Sequence, residues 1–183
     1  MQQRHRIFIA INLPKEVRRA LANYEQKWAD LPAKWSRPEN LHITLAFLGN
    51  TSDQELTEVC GLMQQVGERH TPFAISINHI VYGPDAKRPR MIWAVEERTP
   101  QLLALQKDVV DTLGRSEDKP FSPHLTLARL KAFELQRMET EELSEVNEEI
   151  SLSFKVSSLE VMESALKRSG AEYTVVQSCK LGA

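Results

Sequence analysis

The sequence predicts an α+β fold made of two similar lobes that face each other across a pseudo-two-fold axis. Two observations carry that prediction. Strands of alternating polarity are interspersed with segments of helical periodicity, and one stretch of the chain recurs. "HITLAFL" begins at His42 and "HLTLARL" at His124, 82 residues later, with five of seven positions identical. Upstream, "RHRIFIAINLPKEVRRAL" and "RPRMIWAVEERTPQLLAL" align at an offset of 84. Each half reads strand, helix, loop, motif strand, which is the signature of an internal duplication. Two copies are too few for a solenoid, so the expectation is one domain over residues 1–183 built from two lobes.

Taken in order, "RIFIAINL" (6–13) alternates as a strand, and Pro14 opens a helical stretch over 15–30 with Val17, Leu21, Tyr24 and Trp28 on one face. The two prolines of "LPAKWSRPEN" (31–40) mark a loop. The first motif strand, 41–49, follows. "TSDQELTEVCGLMQQVGERH" (51–70) begins with the Ser52/Glu55 pattern of a capping box. Strands are expected at 73–83 and 90–97, with the basic loop "PDAKRPR" between them. Thr99 caps and Pro100 opens a helix over 99–115. The second motif strand is "SPHLTLARL" (122–130), followed by an acidic, partly helical stretch at 134–150. "SLSFKVSSLEVMES" and "AEYTVVQSCKL" alternate as strands joined by a hairpin across Lys167–Gly170.

Composition excludes several classes. The chain has 183 residues, 42% hydrophobic and 26% charged, which is ordinary for a globular domain. A net charge of −2 does not mark a protein that coats nucleic acid, although a local basic cleft is compatible with it. Cys60 and Cys179 form no CxxC spacing, which argues against a disulfide scaffold or a cysteine zinc site and for a reducing compartment. The apolar run in "MQQRHRIFIAINLPKE" is too short for a secretion signal, and nothing approaches a membrane span. A cytoplasmic setting is expected.

The alternation of a strand puts His42 and Thr44 on one face, and likewise His124 and Thr126. One such strand per lobe brings two histidines and two threonines to one cleft. Histidine titrates near neutrality, so one imidazole can take a proton from an attacking water while the other gives one to a leaving oxygen. The hydroxyls can donate to non-bridging phosphate oxygens, where charge accumulates during displacement at phosphorus. That scheme needs no metal, and the sequence has no dense Asp/Glu/His cluster to hold one.

The paired motifs His42-Ile43-Thr44-Leu45 and His124-Leu125-Thr126-Leu127 resemble those of the 2H phosphoesterases. With the flanks "RIFIAINLP", "RPENLHITLAFLG" and "FSPHLTLAR", the chain resembles the RNA 2′,3′-cyclic phosphodiesterase branch, also called the 2′-5′ RNA ligase or LigT-like family. The resemblance implies two antiparallel sheets lining a central cleft, with helices outside. It implies metal-independent hydrolysis of a terminal 2′,3′-cyclic phosphate to a 2′-phosphate, with no cofactor. His42 would be the proton donor to the departing 3′-oxygen, His124 the general base, and Thr44 and Thr126 the phosphate ligands. Reversible 2′-5′ ligation would be a secondary activity. The implied substrates are RNA ends, tRNA fragments among them, or cyclic nucleotides.

Further residues have two readings each. Arg129 would suit a phosphate site, but simple alternation puts it on the row of Leu125 and Leu127 unless a bulge turns it. Trp35 and Phe8 are candidates for stacking a base, with core packing as the competing role, favoured for Phe8. Lys87, Arg88 and Arg90 either steer RNA or form a solvated loop. His5, His70 and His79 lie outside the repeat and are expected to be dispensable, His79 as a hydrogen-bonded core residue. The Glu-rich stretch 139–149 is expected to be a solvated helix face away from the cleft. The competing functions are a phosphodiesterase for small cyclic nucleotides or 2′-5′ oligonucleotides, a non-catalytic RNA-end-binding module, and a metal protein with two histidine ligands. A monomer is expected, because both halves of the site come from one chain.

Overall fold

In the computed structural model, which describes residues 4–116, 120–138, 143–168 and 170–182, each motif strand is the inner strand of one half of a sheet. The order along the chain is β1 (Arg4–Asn12), α1 (Lys15–Ala22), α2 (Tyr24–Lys27), β2 (Ala33–Trp35), a 3-10 turn (Pro38–Asn40), β3 (His42–Ser52) and α3 (Asp53–Glu68). There follow β4 (Phe73–Gly83), β5 (Met91–Glu96), α4 (Pro100–Thr112), β6 (Leu125–Leu130), α5 (Ala132–Leu135), β7 (Asn147–Val156), β8 (Ser158–Lys167) and β9 (Gly170–Lys180).

The sheet order is β7-β4-β5-β6-β3-β1-β8-β9, with β2 also on β6. All described pairings are antiparallel. The two expected sheets are thus the two halves of one, β7-β4-β5-β6 with β2, and β3-β1-β8-β9. Among the described residues their junction is a single residue pair, Ile43 opposite Leu125. Beyond it β2 takes over the free edge of β6, pairing Ala33 with Leu130 and Trp35 with Ala128.

Helices tie the halves together. The capping box at Ser52/Glu55 and the Thr99 cap with Pro100 behind it start α3 and α4. α3 packs on β8 and β9, and α4 on α3 and β3, whereas α1 reaches β7 in the other half. Each half is therefore covered partly by a helix from the other repeat. Trp28 Nε1 donates to the Glu145 carbonyl at 3.1 Å, and Tyr82 Oη to that of Ser144 at 2.7 Å, fastening the segment before β7. No helix among the described residues is long and apolar enough to cross a membrane.

Four segments differ from the sequence expectation. The helix over 15–30 is two short helices meeting at Asn23. The loop 31–40 contains β2 and the 3-10 turn. The segment 151–164 is two strands, β7 and β8, which belong to opposite halves and part at Ser157. Helix in 134–150 stops at Leu135, and 147–150 already belongs to β7. There Ile150, Leu152, Phe154 and Val156 alternate inward from a glutamate-rich start that masks the period. Residues 139–142 of the acidic stretch lie outside the described residues.

The two halves share a bulge. In β1 and β3, Ile9 pairs with Ala46 but Ala10 with Thr44, leaving Leu45 as the extra residue. In β5 and β6, Ile92 pairs with Ala128 but Trp93 with Thr126, leaving Leu127. The unladdered carbonyls are met from elsewhere: Gln106 Nε2 donates to Leu45 O at 3.5 Å, and Ser36 N to Leu127 O at 2.8 Å. This equivalence sets the repeat at an offset of 83 in β1 and β5, with Ala10 matching Trp93, one residue less than the sequence alignment gives.

One core position breaks the apolar rule. Glu96 shares its face of β5 with Ile92 and Ala94 and is 3% exposed. Neither carboxyl oxygen has a hydrogen-bond partner among the described residues. Carrying the same offset forward, its counterpart is the buried Leu13. Burial disfavours the charged form and pushes the carboxyl from its ordinary 4.5 to about 8. The folded state therefore holds a proton that the unfolded chain releases near 4.5. Stability is full below that value, falls as pH rises, and has lost this contribution above about 8. We predict that chemical denaturation of the wild type shows such a decline between pH 5 and 8. Glu96→Leu should flatten it and raise stability at pH 8 by roughly 2–4 kcal/mol. A wild-type curve as flat as that of the variant would contradict this account.

Candidate active site

The pair Ile43–Leu125 turns both its side chains into the core, each 0% exposed. Alternation then sends His42 and Thr44, and His124 and Thr126, to the opposite face, where all four are half-buried. The antiparallel register around the pair sets His42 beside Thr126 and Thr44 beside His124. A histidine and a threonine from different halves thus flank each side of one cleft.

Both imidazoles are held alike. His42 Nδ1 is 2.7 Å from the Asn40 carbonyl, and His124 Nδ1 is 2.8 Å from the Ser122 carbonyl, two residues earlier in each case. A carbonyl only accepts, so each Nδ1 carries the hydrogen and donates it. The neutral ring then presents a bare Nε2, the atom able to take or deliver a proton at a bound substrate. Burial lowers both pKa values below the ordinary 6.5, opposed in each case by the backbone hydrogen bond. The charge of His124 lowers His42 further, and that of Arg129 lowers His124, which places these groups within electrostatic reach of one another.

The ring surroundings differ between the halves. His42 meets Phe8 at 4.9 Å between centroids and the edge of Tyr173 at 5.1 Å. His124 lies on Trp93, with centroids 3.9 Å apart and planes 19° apart. Gly83 makes room for that indole: a Cβ there would come within 2.3 Å of Trp93 Cδ2. Trp93 escapes a sequence reading because its alternation is that of any strand aromatic, and only the bulge turns it toward His124.

The bulge also answers the question of Arg129. Leu127 and Ala128 are both buried in succession, so Arg129 returns to the face of Thr126 and is exposed. Its Nη1 donates to Met91 Sδ at 3.6 Å, the sulfur that Thr126 Oγ1 also approaches at 3.9 Å. In the other half the equivalent Phe47 is 71% exposed and packs on Phe8 at 5.9 Å. Phe8 itself is 2% exposed and lies behind His42, out of reach of a base. Trp35 pairs with Ala128, on the core face of β6, and packs against the core. Neither aromatic presents a free face to the cleft, whereas Phe47 does.

The remaining sequence candidates lie apart from these four residues. Lys87 and Arg88 belong to the exposed β4–β5 loop. His79 is exposed, because a register shift between Ile77 and His79 turns it outward, and so is not a core residue. His5 bridges Asp53 at 2.9 Å and Glu163 at 2.8 Å, and His70 contacts Asp108 at 2.9 Å. Among the described residues no three His, Cys, Asp or Glu side chains form a group able to hold a metal ion.

The segment 31–40, read from sequence as a plain loop, braces the site. Ser36 Oγ donates to the Thr126 carbonyl at 2.7 Å, and the Asn40 carbonyl orients His42. Asn40 Nδ2 in turn donates to the Ala171 carbonyl at 2.9 Å, linking this turn to the β8–β9 hairpin. The proline spacing of "SRPEN" signals a turn, but nothing in it signals which carbonyl faces an imidazole.

Comparison with known proteins places the chain in a family. The family described as LigT like Phosphoesterase matches residues 7–93 and again 94–173, one match per repeat. An RNA 2′,3′-cyclic phosphodiesterase of Aquifex aeolicus is 31% identical over 162 residues, 81% of this chain and 82% of that protein. One from Thermus thermophilus is also 31% identical, covering 96% of this chain and 90% of the relative. A crystal structure of a Thermus thermophilus protein superposes with a TM-score of 0.82 at 28% identity, over 96% of this chain and 97% of that one. E. coli LigT complexed with 3′-AMP shares the fold at a TM-score of 0.80, 22% identity and 99% and 100% coverage. The duplicated strands, the paired His-x-Thr faces and a family match in each repeat lead to one assignment: the chain belongs to the LigT-like phosphoesterase family.

Proposed function

We propose that the chain hydrolyses the 2′,3′-cyclic phosphate at an RNA end to a 2′-phosphate, with His42 and His124 as its acid and base and no metal. The observation that carries this reading is the matched pair of Nδ1–H···O=C bonds, which leave two bare Nε2 atoms across one cleft. Water attacks phosphorus and gives its proton to His124 Nε2, the P–O3′ bond breaks, and protonated His42 delivers its proton to O3′. The charge of Arg129 opposes protonation of His124, which favours the base role there. Thr44 and Thr126 donate to the non-bridging oxygens as charge builds on them. Trp93 fixes the plane of His124 and Arg129 supplies a cation beside the phosphate. The exposed ring of Phe47 offers a face on which the terminal base stacks. The curated relatives carry the name of this activity, and the fold is known in complex with 3′-AMP, a nucleotide of the size of one RNA residue. Ligation follows the same path with the 5′-hydroxyl of a second RNA in place of the water, which leaves a 2′-5′ bond. The proposed unit is a monomer acting in the cytoplasm as one two-lobed domain.

The direct test is incubation with adenosine 2′,3′-cyclic phosphate in EDTA, resolving 2′- from 3′-phosphate. Wild type should form the 2′-phosphate. His42→Ala and His124→Ala should each lose about 10²–10⁴-fold in kcat/KM, and Thr44→Ala or Thr126→Ala about 10²-fold. A 3′-phosphate product would reverse the leaving group, and activity surviving both histidine substitutions would remove the mechanism.

The pH profile offers a second check. With one imidazole acting as base and one as acid, kcat/KM is bell-shaped and reports their values in the free enzyme. Both lie below 6.5, so the maximum between them should lie on the acid side of 6.5. Trp93→Leu should move one limb of that curve more than the other, since the indole touches His124 alone of the two. Equal movement of both limbs would contradict the assignment of Trp93 to one histidine.

A further inference from the structure

A row of side chains crosses three strands beside the site. Met91 on β5 is opposite Arg129 on β6, and Arg129 is opposite Lys34 on β2. Directly opposed residues share a sheet face, so this row lies on the face of Thr126. The sequence treats Lys34 as one residue of a loop and gives it no role.

Two like charges directly opposed across a strand pair destabilise it unless an anion lies between them. Here both cations are exposed, and neither forms an ion pair among the described residues. Five other basic side chains are neutralised among the described residues: Lys27 by Glu148, Arg69 by Asp108, Lys107 by Asp111, Lys131 by Glu134 and Lys167 by Glu172. Among the described residues the Arg129 guanidinium makes one hydrogen bond, to the Met91 sulfur. The Lys34 ammonium lies against the tip of the β8–β9 hairpin, where Gly170 leaves it space: a Cβ at that position would stand 3.2 Å from Nζ. The same hairpin carries Tyr173, which faces His42. Lys34 is therefore held at the rim of the cleft, and not loose on a distant surface.

The Arg129 guanidinium shares the Met91 sulfur with the Thr126 hydroxyl, and Lys34 is one strand, about 5 Å, further out. The cations thus form a line leading away from the phosphate ligands. We infer that Lys34, next in line beyond Arg129, binds the backbone phosphate on the 5′ side of the terminal nucleotide, so that the enzyme selects the ends of RNA oligonucleotides over cyclic mononucleotides. This rests on the phosphodiesterase reading above and names its substrate class. A mononucleotide has no such phosphate and gains nothing from Lys34. An oligonucleotide gains one ammonium–phosphate contact with release of counterions.

The test compares wild type, Lys34→Met and Lys34→Arg on adenosine 2′,3′-cyclic phosphate and on a short RNA ending in the same cyclic nucleotide. The ratio of kcat/KM for the oligonucleotide to that for the mononucleotide should fall about five- to tenfold in Lys34→Met, mainly through KM, and recover in Lys34→Arg. Binding of a fluorescent RNA with a 2′-phosphate end, measured by anisotropy against salt, reads Lys34 without turnover. Its salt slope should fall by about 0.7 in Lys34→Met. An unchanged ratio together with an unchanged slope overturns the subsite. A wild type that hydrolyses neither substrate would instead sink the phosphodiesterase reading, and the anisotropy slopes would then decide Lys34 on their own.

Discussion

Ile43 facing Leu125 is the contact on which the site depends. Among the described residues it is the one pair through which the two halves of the sheet are continuous, and both side chains are fully buried. Burying a side chain of this size is worth about 1.5–3 kcal/mol, and strand alternation turns that gain into orientation. With the apolar residues driven into the core, the histidines and threonines on either side have only the cleft face left to them. A slip of one residue in either strand would bury the polar set and expose the apolar one. Core stability and placement of the chemical groups are therefore the same constraint, seen from opposite faces of two strands.

Around that pair, the halves depart from symmetry in ways that matter for acid–base work. Two equivalent imidazoles in equivalent surroundings would share one titration and have no fixed direction of proton flow. Here one lies flat on an indole beside a guanidinium, and the other sits among Phe8 and Tyr173 with an exposed phenyl ring nearby. The backbone clamp on each Nδ1 is common to the two halves while the side-chain surroundings are not. In the proposed mechanism the shared part fixes which atom reacts, and the divergent part separates the two roles.

What was legible in the sequence followed from short-range rules. The repeated strand, its alternation, the capping box at Ser52 and the Thr99–Pro100 helix start each involve residues within a few positions of one another, and the structure contains all of them. The four polar residues fell on one face for the same reason. What escaped depends on contacts distant in sequence. The orientation of Arg129 turns on a bulge at Leu127 whose carbonyl is met by Ser36, 91 residues away. Trp35 had two readings, base stacking and core packing, until β2 paired with β6 and turned it to the core. The division at Ser157 is invisible because both sides alternate with the same period. The continuity of the sheet rests on one pair, which no local pattern encodes.

The matching bulges at Leu45 and Leu127 have a historical consequence. Identical register errors at equivalent points, each resolved by a different partner, are what copying leaves behind: the irregularity was already present in the ancestral half before the gene doubled. A half-length ancestor with one His-x-Thr strand could build a two-histidine cleft only by pairing with its own copy across a true dyad. Fusion freed the copies to mutate separately. Divergence then set an exposed ring, Phe47, on one side and a guanidinium, Arg129, on the other, so that a cleft built from two copies of one half is no longer a palindrome.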